Sequence, residues 1–232
     1  MSNWKVSDVL EHIQELVGEP AGSYYNLSSR LRQLNQAQRE MVEEARALER
    51  KVEIETQTGQ QTYYLPDDFL TYAKQTPYLT DAMNNTYQLR VVDVNFMDTA
   101  FPGWQDEGKL NSQGKPQYMV MKTGQRFDLW PVPGVPLSVV HVPYIGDPVE
   151  LTDLDDEVFD GYTHLNRFAM GLAYKVASQF MMPRAPELGR QYMTDYNREV
   201  RKMRSATRTN PQHGQVVRPT TYARRRNYAH DA

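Results

Sequence analysis

The apolar residues of this chain change period twice, and that change limits what it can fold into. Val6, Val9, Leu10, Ile13, Leu16 and Val17 recur at helical spacing, and Gly18 with Pro20 closes the pattern. The spacing predicts a first helix over about 4–17, capped by Ser2 or Ser7. Leu27, Leu31, Leu34, Met41, Ala45, Leu48 and Val52 then follow alternating steps of four and three, with Gln38 in the remaining slot. From Val52 the period falls to two: Val52, Ile54 and Thr56 alternate with Glu53 and Glu55. Thr58-Gly59 reads as a turn from which Thr62–Leu65 returns as a second strand. Further strands are expected at 88–96, with a bulge between Val91 and Val92, and at 117–122, 125–131 and 137–144. Helical period resumes after Thr152 with Val158, Tyr162, Leu165, Ala169, Leu172, Val176 and Phe180. Asp153, Asp155 and Asp156 stand where they would favour that helix's N-terminus. Pro186 opens a last helix with Leu188, Tyr192, Tyr196, Val200 and Met203 on one face.

The expected class is therefore α+β. A helical bundle is drawn from both chain ends, 1–51 and 152–206, with an antiparallel β domain, 52–151, inserted and an extended arm, 207–232, at the end. The helices near Ser29–Lys51 and Asp156–Phe180 each carry an apolar stripe and should pack together.

Charge is divided along the chain. From Arg198 on there are nine cations against two acids, a net +7, whereas the rest holds 17 cations against 27 acids, a net −10. Such asymmetry points to a tail that binds a partner. From Thr207 the chain is poor in core-forming residues and should order only on binding. Arg218, Arg224, Arg225 and Arg226 are suited to acidic grooves of a protein partner or to phosphates, with Tyr222 and Tyr228 as anchors or stacking rings. The outer flank of the second helix, with Arg32, Gln36, Arg39, Glu43 and Arg46, is the candidate contact with a neighbouring subunit.

No catalytic constellation is legible. Gly103–Lys109 has P-loop spacing, but Leu110 stands where magnesium needs Ser or Thr, and Asp106 and Glu107 carry the wrong sign for phosphate. The run around Asp153 lacks the glycine and terminal glutamate of a calcium loop. Asp156, Asp160 and His164 would share a helix face, more readily solvated than metal-binding. There is no cysteine, so disulfides and thiol chemistry are excluded, and no cofactor is expected. Apolar runs are too short to span a membrane, and no secretory signal is expected at Met1–Gly18.

Two blocks carry a resemblance. The first is Leu34-Asn35-Gln36-Ala37-Gln38-Arg39-Glu40-Met41-Val42, then Glu53-Ile54-Glu55-Thr56 and Gln61-Thr62-Tyr63-Tyr64-Leu65-Pro66-Asp67-Asp68-Phe69-Leu70. The second is Phe127-Asp128-Leu129-Trp130-Pro131-Val132-Pro133, leading to Val140–Tyr144, Asp147-Pro148-Val149 and Leu151-Thr152-Asp153. In that order, followed by a late helix, they resemble the head-to-tail adaptor (connector or neck) proteins of tailed bacteriophages, including the tail tubular protein A type. The resemblance implies a non-enzymatic virion protein, made in the host cytoplasm and forming a homo-oligomeric ring, commonly of twelve copies. Its partners would be the portal protein, a tail tube or nozzle protein and the genomic DNA passing through the lumen. An acidic body suits a conduit, because a negative wall does not hold phosphates. Two other readings fit the charge pattern: a DNA-binding packaging or regulatory protein, and a tail-completion protein lower in the tail.

Overall fold

The computed structural model describes residues 3–18, 26–105, 113–134, 138–209 and 215–217. It divides into two compact units. One takes the described residues of Met1–Leu48 and Asp147–His213, the other those of Glu49–Gly146 and Gly214–Ala232. Helix and mainly antiparallel sheet thus share the chain in an α+β arrangement.

In the first unit, α1 (Val6–Val17) buries Val6, Val9, Leu10 and Ile13. Ser7 lies inside the helix rather than capping it; the Asp8 carboxylate instead accepts the Lys5 N–H at 2.9 Å. Gly18 takes the left-handed conformation at φ 70° and returns its N–H to the Gln14 carbonyl, which ends the helix. Helix α2 (Leu27–Ala45) is capped by the Asn26 side chain on Ser29 N and stopped by Arg46 at φ 55°. It ends before Lys51, and Val52, which continued the apolar stripe in sequence, belongs to a strand.

The late helix is shorter than its periodicity suggests. Phe159 and Gly161 both have positive φ, so 158–162 is irregular; α4 (Thr163–Asn166) and α5 (Ala169–Met181) follow. The 153–156 acids cap no helix. Asp156 accepts the Thr152 and Asp153 N–H groups at 2.7 and 2.8 Å, closing a turn. Helix α5 packs against α1, α2 and α6 (Pro186–Thr209). Leu172 is fully buried there, and Gly171 admits the Met41 side chain so closely that a Cβ would lie 2.6 Å from its Cε. Helix α6 buries Tyr192, Tyr196, Val200 and Met203 and runs three residues beyond 206.

The second unit contains β1 (Glu49–Glu55), β2 (Thr62–Tyr64), β3 (Phe69–Tyr72), β4 (Tyr78–Thr80), β5 (Thr86–Gln88) and β6 (Arg90–Asp93). After α3 (Val94–Ala100) come β7 (Gln113–Gly114), β8 (Tyr118–Lys122), β9 (Arg126–Trp130), β10 (Val132–Pro133) and β11 (Val139–Gly146). The last is β12 (Gln215–Val217). One sheet has the order β12-β1-β11-β4-β5, with β3 also on β11; another has the order β2-β9-β8-β6; β7 and β10 pair alone. Thus β1 and β2 are not a hairpin. Strand β1 pairs with β11 and β2 with β9, each antiparallel. The stretch 88–96 is not one bulged strand either: β6 stops at Asp93, whose side chain accepts Phe96 N and starts α3. Val52, Leu79, Val140 and Val142 meet Tyr63, Met119, Phe127 and Leu129 in one core between the two sheets. Val92, Met97, Trp104 and Val120 form a second, smaller cluster.

Candidate docking surfaces

Key polar residues of the motif blocks turn inward. Asn35 exchanges two hydrogen bonds with the Leu151 backbone, at 2.9 and 2.8 Å. Gln38, 1% exposed, donates to the Val149 carbonyl and accepts the Phe159 N–H, each at 3.0 Å. Asn166, also buried, accepts Trp4 N and donates to the Trp4 and Val158 carbonyls. Three amides therefore fasten the irregular 149–159 segment to the helices, satisfying backbone groups that have no ladder of their own.

The Pro66–Leu70 turn is held in the same way. Asp68 takes the Tyr144 hydroxyl at 3.1 Å and pairs with Arg50, which lies flat across Gly146. A Cβ on Gly146 would sit 2.8 Å from the Arg50 Cδ, so that pairing needs glycine there. Burial, with the Asp68 charge beside it, pushes the Tyr144 hydroxyl above its ordinary range. Tyr63 stacks on Phe127 and its hydroxyl closes the 57–60 turn, accepting Gln57 N and donating to the Gln60 carbonyl. Asp128, 1% exposed, is paired with Lys122 at 2.5 Å and accepts the Thr62 hydroxyl at 2.7 Å.

The exposed surface includes the outer side of α2, two of whose residues stand in the first block. Arg32, Gln36, Arg39, Glu43 and Arg46 are all exposed along α2. Gln36 donates to Glu40, and Arg39 pairs with Asp147 at 3.3 Å. Burial alone would raise the Glu40 carboxyl, but hydrogen bonds from Lys175 and Gln36 overcome it and hold Glu40 below the usual carboxylate range. Arg218, Tyr222, Arg224, Arg225, Arg226 and Tyr228 lie outside the described residues. Five of the nine cations counted from Arg198 on stand on helix: Arg198, Arg201, Lys202, Arg204 and Arg208 belong to α6, where Asp195 and Glu199 pair with Arg198 and Lys202. Within the tail, Gln215–Val217 pairs parallel with Arg50–Val52 as β12.

Of the P-loop lookalike, Gly103–Gln105 is a turn in which Trp104 is buried and its indole N–H donates to Asp98 at 2.7 Å; 106–110 lie outside the described residues. Asp156 and Asp160 precede α4, so they share no helix face with His164. Among the described residues no three His, Cys, Asp or Glu side chains gather as they would around a metal, and no helix is long and apolar enough to cross a membrane.

The inward residues of the motif blocks are thus spent on internal fastening, while charged flanks of two helices remain exposed. Residues 4–220 match the family described as SU10 adaptor protein. The chain belongs to that family and is a bacteriophage adaptor protein, a component of the virion, in keeping with the head-to-tail resemblance carried by its motif blocks. No curated protein matches it.

Proposed function

We propose that this protein is a subunit of a ring seated between portal and tail, lining the conduit through which the genome leaves. The carrying observation is the family match over residues 4–220. The acidic balance of the body supports the conduit role, because a negative wall lets DNA slide rather than adhere. The α2 flank of Arg32, Gln36, Arg39, Glu43 and Arg46 packs against a neighbouring copy. The residues after Val217 dock on the portal, where Arg218, Arg224, Arg225 and Arg226 meet carboxylates and Tyr222 and Tyr228 fill apolar pockets. A protein partner is favoured over DNA because the genome must keep moving past this ring.

Particles assembled without this protein should package DNA yet carry no tail, and infectious tailed particles lacking it would refute the proposal. Truncation after Val217 spares α6 and β12. The shortened chain should stay folded and lose portal binding. Unchanged portal affinity would remove that role from the arm, and loss of duplex DNA binding instead would favour the nucleic-acid reading.

A further inference from the structure

Two faces of the helical unit carry opposite charge. On α1, Asp8, Glu11 and Glu15 recur at steps of three and four and are all exposed. The exposed acids Asp153 and Asp155 extend this stripe, because their turn is fastened to the start of α1. Val6 N and Ser7 N donate to the Asp156 and Leu154 carbonyls, and Lys5 reaches Asp155 at 3.0 Å. Between α1, the start of α2 and this turn lies an open groove floored by Leu10, Leu27 and Leu154. Leu27 and Leu154 remain 44% and 39% exposed.

On α6 the exposed side carries Arg190, Arg198, Arg201 and Arg204. Arg201 has no acidic partner among the described residues. Arg190 and Arg198 have acidic partners one turn away on α6 itself, the exposed Glu187 and the partly buried Asp195. The Arg190–Glu187 pair, exposed on both sides, is weak and exchanges readily for a better one. Within one chain, Tyr192 of α6 touches α1 through the Leu16 carbonyl, and the α6 arginines make no ion pair with the α1 acids.

We propose that α6 of one copy docks along α1 of the next, its arginines on the Asp8, Glu11 and Glu15 stripe and their aliphatic stems over the apolar groove. The proposal rests on the ring reading above and names a pair of surfaces that closes it. A ring needs a heterologous contact, in which each copy offers two different, complementary patches. Here the patches are opposite in sign. They are also commensurate: Arg190 to Arg201 spans about 16 Å of helix axis and Asp8 to Glu15 about 10 Å, before the 153–155 turn is added. Long arginine stems cover apolar surface while their heads pair at its rim.

The test is charge exchange, read as tail attachment when purified full-length protein is added to tailless, DNA-filled heads. Glu11→Lys with Glu15→Lys, and separately Arg198→Glu with Arg201→Glu, alter exposed positions, and circular dichroism verifies that each chain is folded. Each pair alone should lower the yield of tailed particles at least about tenfold, since like charges then face each other. All four changes in one chain should restore the yield to within about threefold of wild type. Full activity of either pair alone, or no rescue by the combined chain, overturns the contact. If the arginine reversal abolishes duplex DNA binding in a gel shift and the combined chain does not recover yield, α6 serves DNA and the proposal falls. A wild-type protein that completes no tailless head removes the ring reading itself, a result distinct from failure of the exchange.

Discussion

Gln38→Leu should destabilise the helical unit, although it would complete the apolar stripe of α2. The Gln38 side chain is 1% exposed and holds two backbone groups, the buried Phe159 N–H and the Val149 carbonyl, each at 3.0 Å. A leucine can hold neither. An orphaned buried N–H costs about 1–3 kcal/mol. The Val149 carbonyl sits in a half-exposed residue and recovers part of its bond from water, leaving a loss of about 0.5–1.5 kcal/mol. Added apolar burial returns on the order of 1 kcal/mol. The net expected loss is about 2 kcal/mol, or roughly 4–8 °C in Tm for a chain of this size. Urea unfolding followed by circular dichroism measures it, with an unchanged m-value showing that the unfolded state is not at issue. If Gln38→Leu is as stable as wild type or more so, the amide is not what fastens the 149–159 segment. The apolar stripe by itself favours leucine at position 38, whereas the two backbone hydrogen bonds require the amide.

Leu172→Ala removes a fully buried side chain from the centre of the helical unit and should cost about 2–5 kcal/mol in the same unfolding measurement; a loss under about 0.5 kcal/mol, typical of surface sites, would contradict its core role. Lys122→Met leaves the Asp128 carboxylate, 1% exposed, with only the Thr62 hydroxyl. It should cost about 3–5 kcal/mol, and adding Asp128→Leu should recover part of that, whereas equal or greater loss in the double variant would show the pair is not coupled. Burial and the nearby Lys51 hold the His141 imidazole below its ordinary pKa, against the opposing pull of Glu53 at 3.4 Å. The neutral ring, stacked on Tyr78 at 4.4 Å, is the folded form. Its contribution is therefore complete above about pH 6.5 and is lost as the pH falls from there through the folded pKa. His141→Gln should flatten stability between pH 7 and 5, and an unchanged slope would assign the acid sensitivity to other groups.

Periodicity carried the helices well and their ends poorly. The stripe from Leu27 to Ala45 is helical as its spacing predicts, but Leu48 and Val52 kept the same spacing by coincidence after Arg46 had turned the chain. No glycine or proline marks that stop, since a non-glycine residue takes the left-handed conformation there. Likewise Phe159 interrupts a seven-residue apolar series that reads as continuous from Val158 to Phe180. The strands were legible as strands, but their partners were not. Thr62–Tyr64 follows β1 closely in sequence and pairs with Arg126–Trp130, a choice set by which faces share the core rather than by the nearest turn. Of the candidate site, the α2 flank was visible in the pattern of polar positions, and all five residues are exposed. Charge counting groups Arg198–Arg204 with the tail, whereas the periodicity of Tyr196, Val200 and Met203 puts them on the last helix, where the structure has them.

The inward residues of the recognisable motifs serve the fold rather than a partner. Asn35, Gln38, Tyr63, Asp68 and Asp128 stand in the two blocks that carry the resemblance, and each has its polar atoms committed to a backbone or side-chain group within its own unit. A carboxylate already shared by Arg50 and Tyr144 has little left to offer a neighbour. These residues identify the chain because they are needed to build it. Gln36 and Arg39 stand in the same block but alternate with Asn35 and Gln38 on the outer side of the helix, so the proposed contacts fall on its outward positions. Partner choice can then change through the outward residues while the inward ones keep the fold. Substitutions at Arg32, Arg39 or Arg46 should accordingly alter assembly without lowering Tm, whereas those at Asn35 or Asp68 should do the reverse.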